Sequence, residues 1–215
     1  MRLRIVLALL VVVLSLEACS VTRGSGQISS ESRQVSGFSK VELTGNGELT
    51  IEQTGTESLT ISAEENLLPR VSSEVSGDTL VLGPETIANI FPTRPINYAL
   101  TVKDLTGLEV SGSGSVNVSK LATTSLSSKI SGSGQITANG TADDQDLDIS
   151  GSGRYQAEQL IGKTVKVAIS GSGSADVHAT EVLDIQMSGS GTLTYTGNPP
   201  QVTQEISGSG KVIKK

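Results

Sequence analysis

The chain has 215 residues, with 22 Asp and Glu against 16 Lys and Arg and a formal net charge of −6, a balance that argues against a nucleic-acid partner because binding phosphates needs a basic surface. Its single cysteine, Cys19, excludes an intramolecular disulfide and with it a stapled scaffold. There is no Trp, and the aromatic residues are Phe38, Phe91, Tyr98, Tyr155 and Tyr195, so the core has to be built from Val, Ile, Leu and Ala, which suits a thin, layered interior.

At the N-terminus Arg2 and Arg4 precede an uncharged apolar run from Ile5 to Leu14. The run is about half the roughly 20 residues that span a hydrocarbon core. Positive charge followed by a short apolar stretch is the pattern of a secretory signal. The segment ends Leu16-Glu17-Ala18-Cys19, with Leu three positions before the cysteine and a small residue directly before it, the pattern cut by lipoprotein signal peptidase. Glu17 is an unusual occupant of its position. The expectation is a signal peptide over 1–18 and acylation, palmitate included, at Cys19. The mature protein would then be anchored to a membrane, each buried methylene adding about 0.8 kcal/mol. The alternative is an ordinary cleaved signal with a coincidental cysteine. Ser20 in place of Asp points to the outer membrane under enteric-type sorting, with periplasmic and surface faces both open. Without Arg2, Arg4 and Glu17 the chain carries 14 basic and 21 acidic residues, a net charge of −7. Residues 19–35 are polar and Ser-rich and read as a flexible tether.

From about residue 36 the pattern changes. Val41, Leu43, Gly45, Gly47, Leu49 and Ile51 share one parity around Thr44-Gly45-Asn46-Gly47. Leu59 with Ile61, Leu80 with Leu82, and Leu100 with Val102 continue the alternation, and Glu64 to Pro69 could make at most a short helical turn. Gly83 to Asn97 interrupts it with Pro84, Pro92 and Pro95 around Ile87, Ile90 and Phe91. Prolines exclude that stretch from a sheet interior, so it is expected to cap an open edge, the alternative being a partner-binding loop carrying Phe91.

Beyond it Ser-Gly-Ser-Gly recurs at Ser111, Ser131, Ser150, Ser170, Ser188 and Ser207, in steps of 20, 19, 20, 18 and 19 residues. The fourth copy reads Val165, Val167, Ile169, Gly171, Gly173, Ala175 and Val177 at alternate positions, period-two alternation of a strand with one buried face. The glycines share the apolar parity and are expected to point inward, where the backbone turns a corner without crowding. The serines are expected to point outward in ladders, hydroxyls bonding each other or water. Stacked copies would bury each other's apolar stripe, an all-β parallel β-solenoid with rungs of about 18–20 residues, a single domain over 36–213.

The catalytic sets are thin. The only histidine, His178, has outward parity, and one His with one committed Cys cannot supply a transition-metal site. Ser170-Gly171-Ser172-Gly173-Ser174 contains the nucleophile-elbow pattern, but no helix follows it. Asp143, Asp144, Asp146 and Asp148 could serve glycoside hydrolysis or calcium binding, and a solvated acidic face explains them more simply. No cofactor, catalytic residue or metal ligand is expected.

Phe38-Ser39-Lys40-Val41-Glu42-Leu43-Thr44-Gly45-Asn46-Gly47, the Ser-Gly-Ser-Gly copies, and Gly197-Asn198-Pro199-Pro200 followed by Ile206-Ser207-Gly208-Ser209-Gly210 resemble the putative auto-transporter adhesin, head GIN domain family. The resemblance covers roughly Val35 to Val212. It implies a right-handed β-helix-like fold and a cell-envelope setting, and carries over no catalytic residues. The expected function is a non-enzymatic, membrane-tethered envelope protein presenting a β-solenoid surface to other envelope proteins, polysaccharide or a host surface. A periplasmic scaffold or stress-associated lipoprotein, and a polysaccharide-acting β-helix enzyme using the Asp143–Asp148 cluster, are the alternatives.

Overall fold

Strands with one apolar face must bury it against something, and here they close on one another. The structure, a computed structural model, describes residues 21–86 and 90–215 as a parallel β-solenoid. In chain order the strands are β1 (Thr22–Arg23), β2 (Ile28–Arg33), β3 (Lys40–Gly45), β4 (Glu48–Gln53), β5 (Ser58–Glu64), β6 (Val71–Ser76), β7 (Thr79–Pro84), β8 (Ile90–Phe91), β9 (Asn97–Val102) and β10 (Gly107–Gly112). The long strands β11 (Ser115–Gly132), β12 (Gln135–Gly151), β13 (Arg154–Gly171) and β14 (Ser174–Gly189) follow, then β15 (Thr192–Thr196), β16 (Gln201–Gly208) and β17 (Lys211–Lys214). The turn foreseen near Pro69 is a short 3-10 segment, Leu68–Arg70.

In the long strand β13 the inward parity breaks twice, between Ala157 and Leu160 and again between Gly162 and Val165, where its register with β14 also shifts. Across the Ser-Gly-Ser-Gly corners register is kept from rung to rung, with shifts confined to the middle of the long strands, such as Val118/Leu121 and Thr137/Asn139. One core column runs Leu43, Val110, Ile130, Ile149, Ile169, Met187, Ile206. Across the core a second runs Leu49, Val116, Ile136, Tyr155, Ala175, Leu193. The bulk of Tyr155, 1 % exposed, is offset by the small Ala175 beneath it, which keeps the column close-packed.

The Ser-Gly-Ser-Gly copies are the corners. At each, the first glycine has φ between 117° and 124°, and a Cβ there would lie 2.5–2.7 Å from a glycine carbonyl oxygen of the preceding rung. The next serine donates its N–H to that oxygen, as Ser152 does to Gly132 at 2.8 Å. The second glycine is buried in the first five copies, and a Cβ on Gly153 would collide with the Ile130 side chain. Only this second glycine points into the core; the first is pressed against the rung below.

Stacking does not follow chain order. β3 and β4 lie between β10 and the start of β11 on one side and β7 and β9 on the other. Residues 54–106 therefore fold back beneath the first rung before the regular coil resumes. The fold-back ends in antiparallel pairs, β6 on β7 and β5 on β9, which close the N-terminal end of the stack. Residues 28–33, expected in the tether, instead form β2, antiparallel to β5. Backbone pairing satisfies the β5 edge, and the Arg33 guanidinium donates to the carbonyls of Val71 and Leu68 at 2.6 and 3.0 Å. The polar composition of this segment reflects a strand held by its backbone rather than by a buried face. At the other end Gln204 and Lys214 stand in register with Ile185 and Tyr195, so two core columns end in polar side chains.

Candidate functional site

Where the register is unbroken, beside the Ser-Gly-Ser-Gly corners, outward positions stand in rows. Thr44, Ser111, Ser131, Ser150, Ser170, Ser188 and Ser207 form one hydroxyl row beside the corners. Among the described residues these hydroxyls do not bond one another. Equivalent side chains on parallel strands keep the strand spacing of about 4.8 Å, beyond hydrogen-bond reach. Ser150 donates instead to Asp148 on its own strand at 3.1 Å. The neighbouring row mixes charges, and Lys129 bridges to Glu109 at 3.0 Å. That pair is exposed and adds little stability. A shallow cleft of about 380 Å³ lies on this ridge between Asp148, Ser170, Ser188 and Ser207.

The N-terminal corner is built differently. β1 pairs in parallel with β8, Arg23 opposite Phe91, and the Gly24 N–H donates to the Phe91 carbonyl at 3.0 Å. The Asn66 amide donates to the Arg23 carbonyl and accepts from the Ser25 N–H, at 2.8 and 2.9 Å. Glu64, 1 % exposed, accepts from the Gly26 N–H at 2.7 Å, from the Thr93 N–H at 2.8 Å and from the Thr93 hydroxyl at 2.6 Å. A Cβ on Gly24 would collide with this carboxylate, so glycine lets the arm lie against it. This clamp fixes residues 90–96 along the side of the end rungs; the open edge that the proline-bearing stretch is expected to cap is closed instead by the antiparallel pairs β6–β7 and β5–β9. Ile90 is buried, and Phe91 is left outside beside a cleft of about 440 Å³.

The Thr93 hydroxyl, with the N–H groups of Thr93, Gly26 and Arg94, holds the Glu64 carboxyl below its ordinary value of 4.5, against burial that pushes it up. A depressed carboxyl contributes its stability above the unfolded value and loses it as pH falls through the folded one. Amide exchange at Gly26 and Thr93 should therefore accelerate as pH is lowered below about 4.5 beyond the intrinsic rate. Glu64→Gln should speed exchange at both amides at neutral pH and remove the extra pH dependence. Unchanged protection in that variant would show that the clamp does not hold the arm.

Cys19 and residues 1–18 lie outside the described residues, as does Ile87. The four aspartates do not converge on a common point: Asp143 pairs with Lys163 at 2.9 Å, and Asp146 and Asp148 project outward with Lys166 and Lys129 as register neighbours. Among the described residues no three His, Cys, Asp or Glu side chains are grouped to hold a metal ion. His178 is half-buried on an outer face, its Nδ1 3.1 Å from Thr196 Oγ1 of the next rung. Glu64, Thr93 and Asn46 escaped the sequence reading because their partners are distant in the chain. The one signal was Asn46, which breaks the serine pattern at the rung that abuts Phe91.

The profile of a family described as putative auto-transporter adhesin, head GIN domain, matches residues 37–199. No curated protein matches the chain. The fold is similar to that of a putative adhesin from Bacteroides fragilis, 21 % identical, TM-score 0.71, over 90 % of this chain and 100 % of that one. It is also similar to a putative adhesin from Parabacteroides merdae, 20 % identical, TM-score 0.57, over 91 % and 99 %. A third likeness is to a putative lipid binding protein from Parabacteroides distasonis, 24 % identical, TM-score 0.56, over 91 % and 100 %.

Proposed function

The chain belongs to the putative auto-transporter adhesin, head GIN domain family, and we propose that it is a non-enzymatic cell-envelope protein that offers its solenoid as a rigid binding surface. The observation that carries this reading is the register: outward side chains stand in unbroken rows from Thr44 to Ser207. Such a surface loses little entropy when a partner docks, because its backbone is already ordered. The fold alone would not assign a role; the family and the export-signal pattern supply the setting.

The anchor is part of the same proposal. Cys19 precedes Thr22 by three residues, a reach of about 11 Å at full extension. With β1 and β2 paired into the domain, little slack separates it from the membrane, and the solenoid would ride close to the surface.

Protease treatment of intact and lysed cells tests both parts. Degradation of the domain on intact cells is the expected result, and protection until lysis would redirect the search to periplasmic partners. The wild-type chain should fractionate with membranes and the Cys19→Ala variant should become soluble. Membrane retention of that variant would remove the lipid anchor from the proposal.

A further inference from the structure

We infer that the cleft beside Phe91 is a binding site for a neutral saccharide, a step that rests on the binding-surface reading above and names its ligand class. Four of the five aromatic residues are buried: Phe38 is 5 % exposed, Tyr98 2 %, Tyr155 1 % and Tyr195 8 %. Phe91 is 60 % exposed. In a chain so short of aromatic area, leaving one ring in water forgoes one of its largest available burial gains.

The ring is also held in place. Its strand pairs with β1, its carbonyl accepts from Gly24, and two residues on Thr93 is fastened by the buried Glu64. A side chain exposed by accident needs no such support, whereas a recognition side chain works better on a fixed backbone.

The cleft's chemistry selects the ligand. Phe91, Pro84 and Pro92 supply an apolar wall, and Asn46, Ser111 and Ser113 supply an amide and two hydroxyls. Among the described residues no charged side chain lines it, although the protein carries 22 acidic and 16 basic residues. Within this lining an ionic headgroup or acidic peptide would meet no counter-charge, the exposed Arg23 in register with Phe91 lying outside it. An acyl chain would bury the amide and hydroxyls without partners, at a cost of about 1–3 kcal/mol for each group. A pyranose ring matches both walls: its C–H face lies against the negative face of the aromatic ring, and its hydroxyls both donate and accept at the polar rim. The cleft is large enough for one to two sugar residues at about 440 Å³. Ser111 also belongs to the hydroxyl row running the length of the coil, so an oligosaccharide leaving the cleft is led along that row.

Saturation-transfer NMR on the full mature chain tests this, with methyl β-glucoside, methyl β-galactoside, N-acetylglucosamine, cellotetraose and chitotetraose as probes. Transfer to ring C–H protons of at least one probe is expected, weakened tenfold or more by Phe91→Ala, weakened by Asn46→Ala and retained by Phe91→Tyr. The exposed position of Phe91 predicts an unchanged melting temperature for Phe91→Ala, which separates lost binding from lost folding. No transfer from any probe, transfer undiminished in Phe91→Ala, or binding only to phosphatidylcholine vesicles in a parallel sedimentation assay would overturn the inference. Those results come from purified protein. They leave the envelope reading standing, which the cell protease experiment decides separately.

Discussion

Gly151→Ala is expected to lower the unfolding free energy by about 3 kcal/mol, which for a domain of this size is roughly 10 °C in melting temperature. Two costs combine. At φ 122° the residue occupies backbone space essentially reserved for glycine, a strain of about 1–3 kcal/mol for alanine. The new methyl would also stand 2.6 Å from the Gly132 carbonyl oxygen, the acceptor of the corner bond from Ser152. Relieving the clash by moving the rungs apart sacrifices that bond and its neighbours in the ladder. The rungs are stabilised mainly by contact with the next one, so a defect in the middle of the stack cannot be isolated at an end. Circular dichroism during heating measures the effect, with Ser152→Ala, a change at the exposed corner tip, as the reference. Equal melting temperatures for the two variants would show that the corner does not require glycine.

Ile149→Ala should cost about 3 kcal/mol, in the range for a buried large-to-small change, while Ile206→Ala should cost less than about 1 kcal/mol. The two residues occupy the same core column, linked in register through Ile169 and Met187. Ile149 is 0 % exposed with Ile130 and Ile169 on either side of it in the column, whereas Ile206 is 40 % exposed in the terminal rung. The difference therefore isolates position in the stack from side-chain chemistry. Urea titration of both variants reads it, and a large loss at Ile206 would mean that the terminal rung is covered in solution.

The corners and the core columns were legible because both are local and periodic. The alternation around Gly151 and Gly153 marks which side chains face inward, and the 18- to 20-residue step matches one circuit of the coil. The roles of the two glycines were not separable in this way, since the contact that demands the first is with Gly132 on another rung. The serine row was correctly placed outward; of the two partners foreseen for its hydroxyls, one another or water, the stack excludes the first, because strand spacing is a property of the assembled stack. Residues 28–33 looked like a tether for a related reason: β2 is kept by backbone pairing to β5 and by Arg33, neither of which leaves an apolar pattern.

The sequence by itself determined the export-signal pattern, the class of fold, the repeat length and the inward parity of each strand, all of which depend on residues near one another in the chain. Only the tertiary structure decided the order of stacking. The Thr44–Gly47 corner is first in the chain but lies between β10 and the folded-back strands β7 and β9. It also decided the Phe91 site, where Glu64 clasps Gly26 and Thr93 across 38 and 29 residues and Asn46 faces the same cleft as Ser111. Contacts at such separations arise from which strand edge is free when the chain folds back, and no local periodicity encodes that choice.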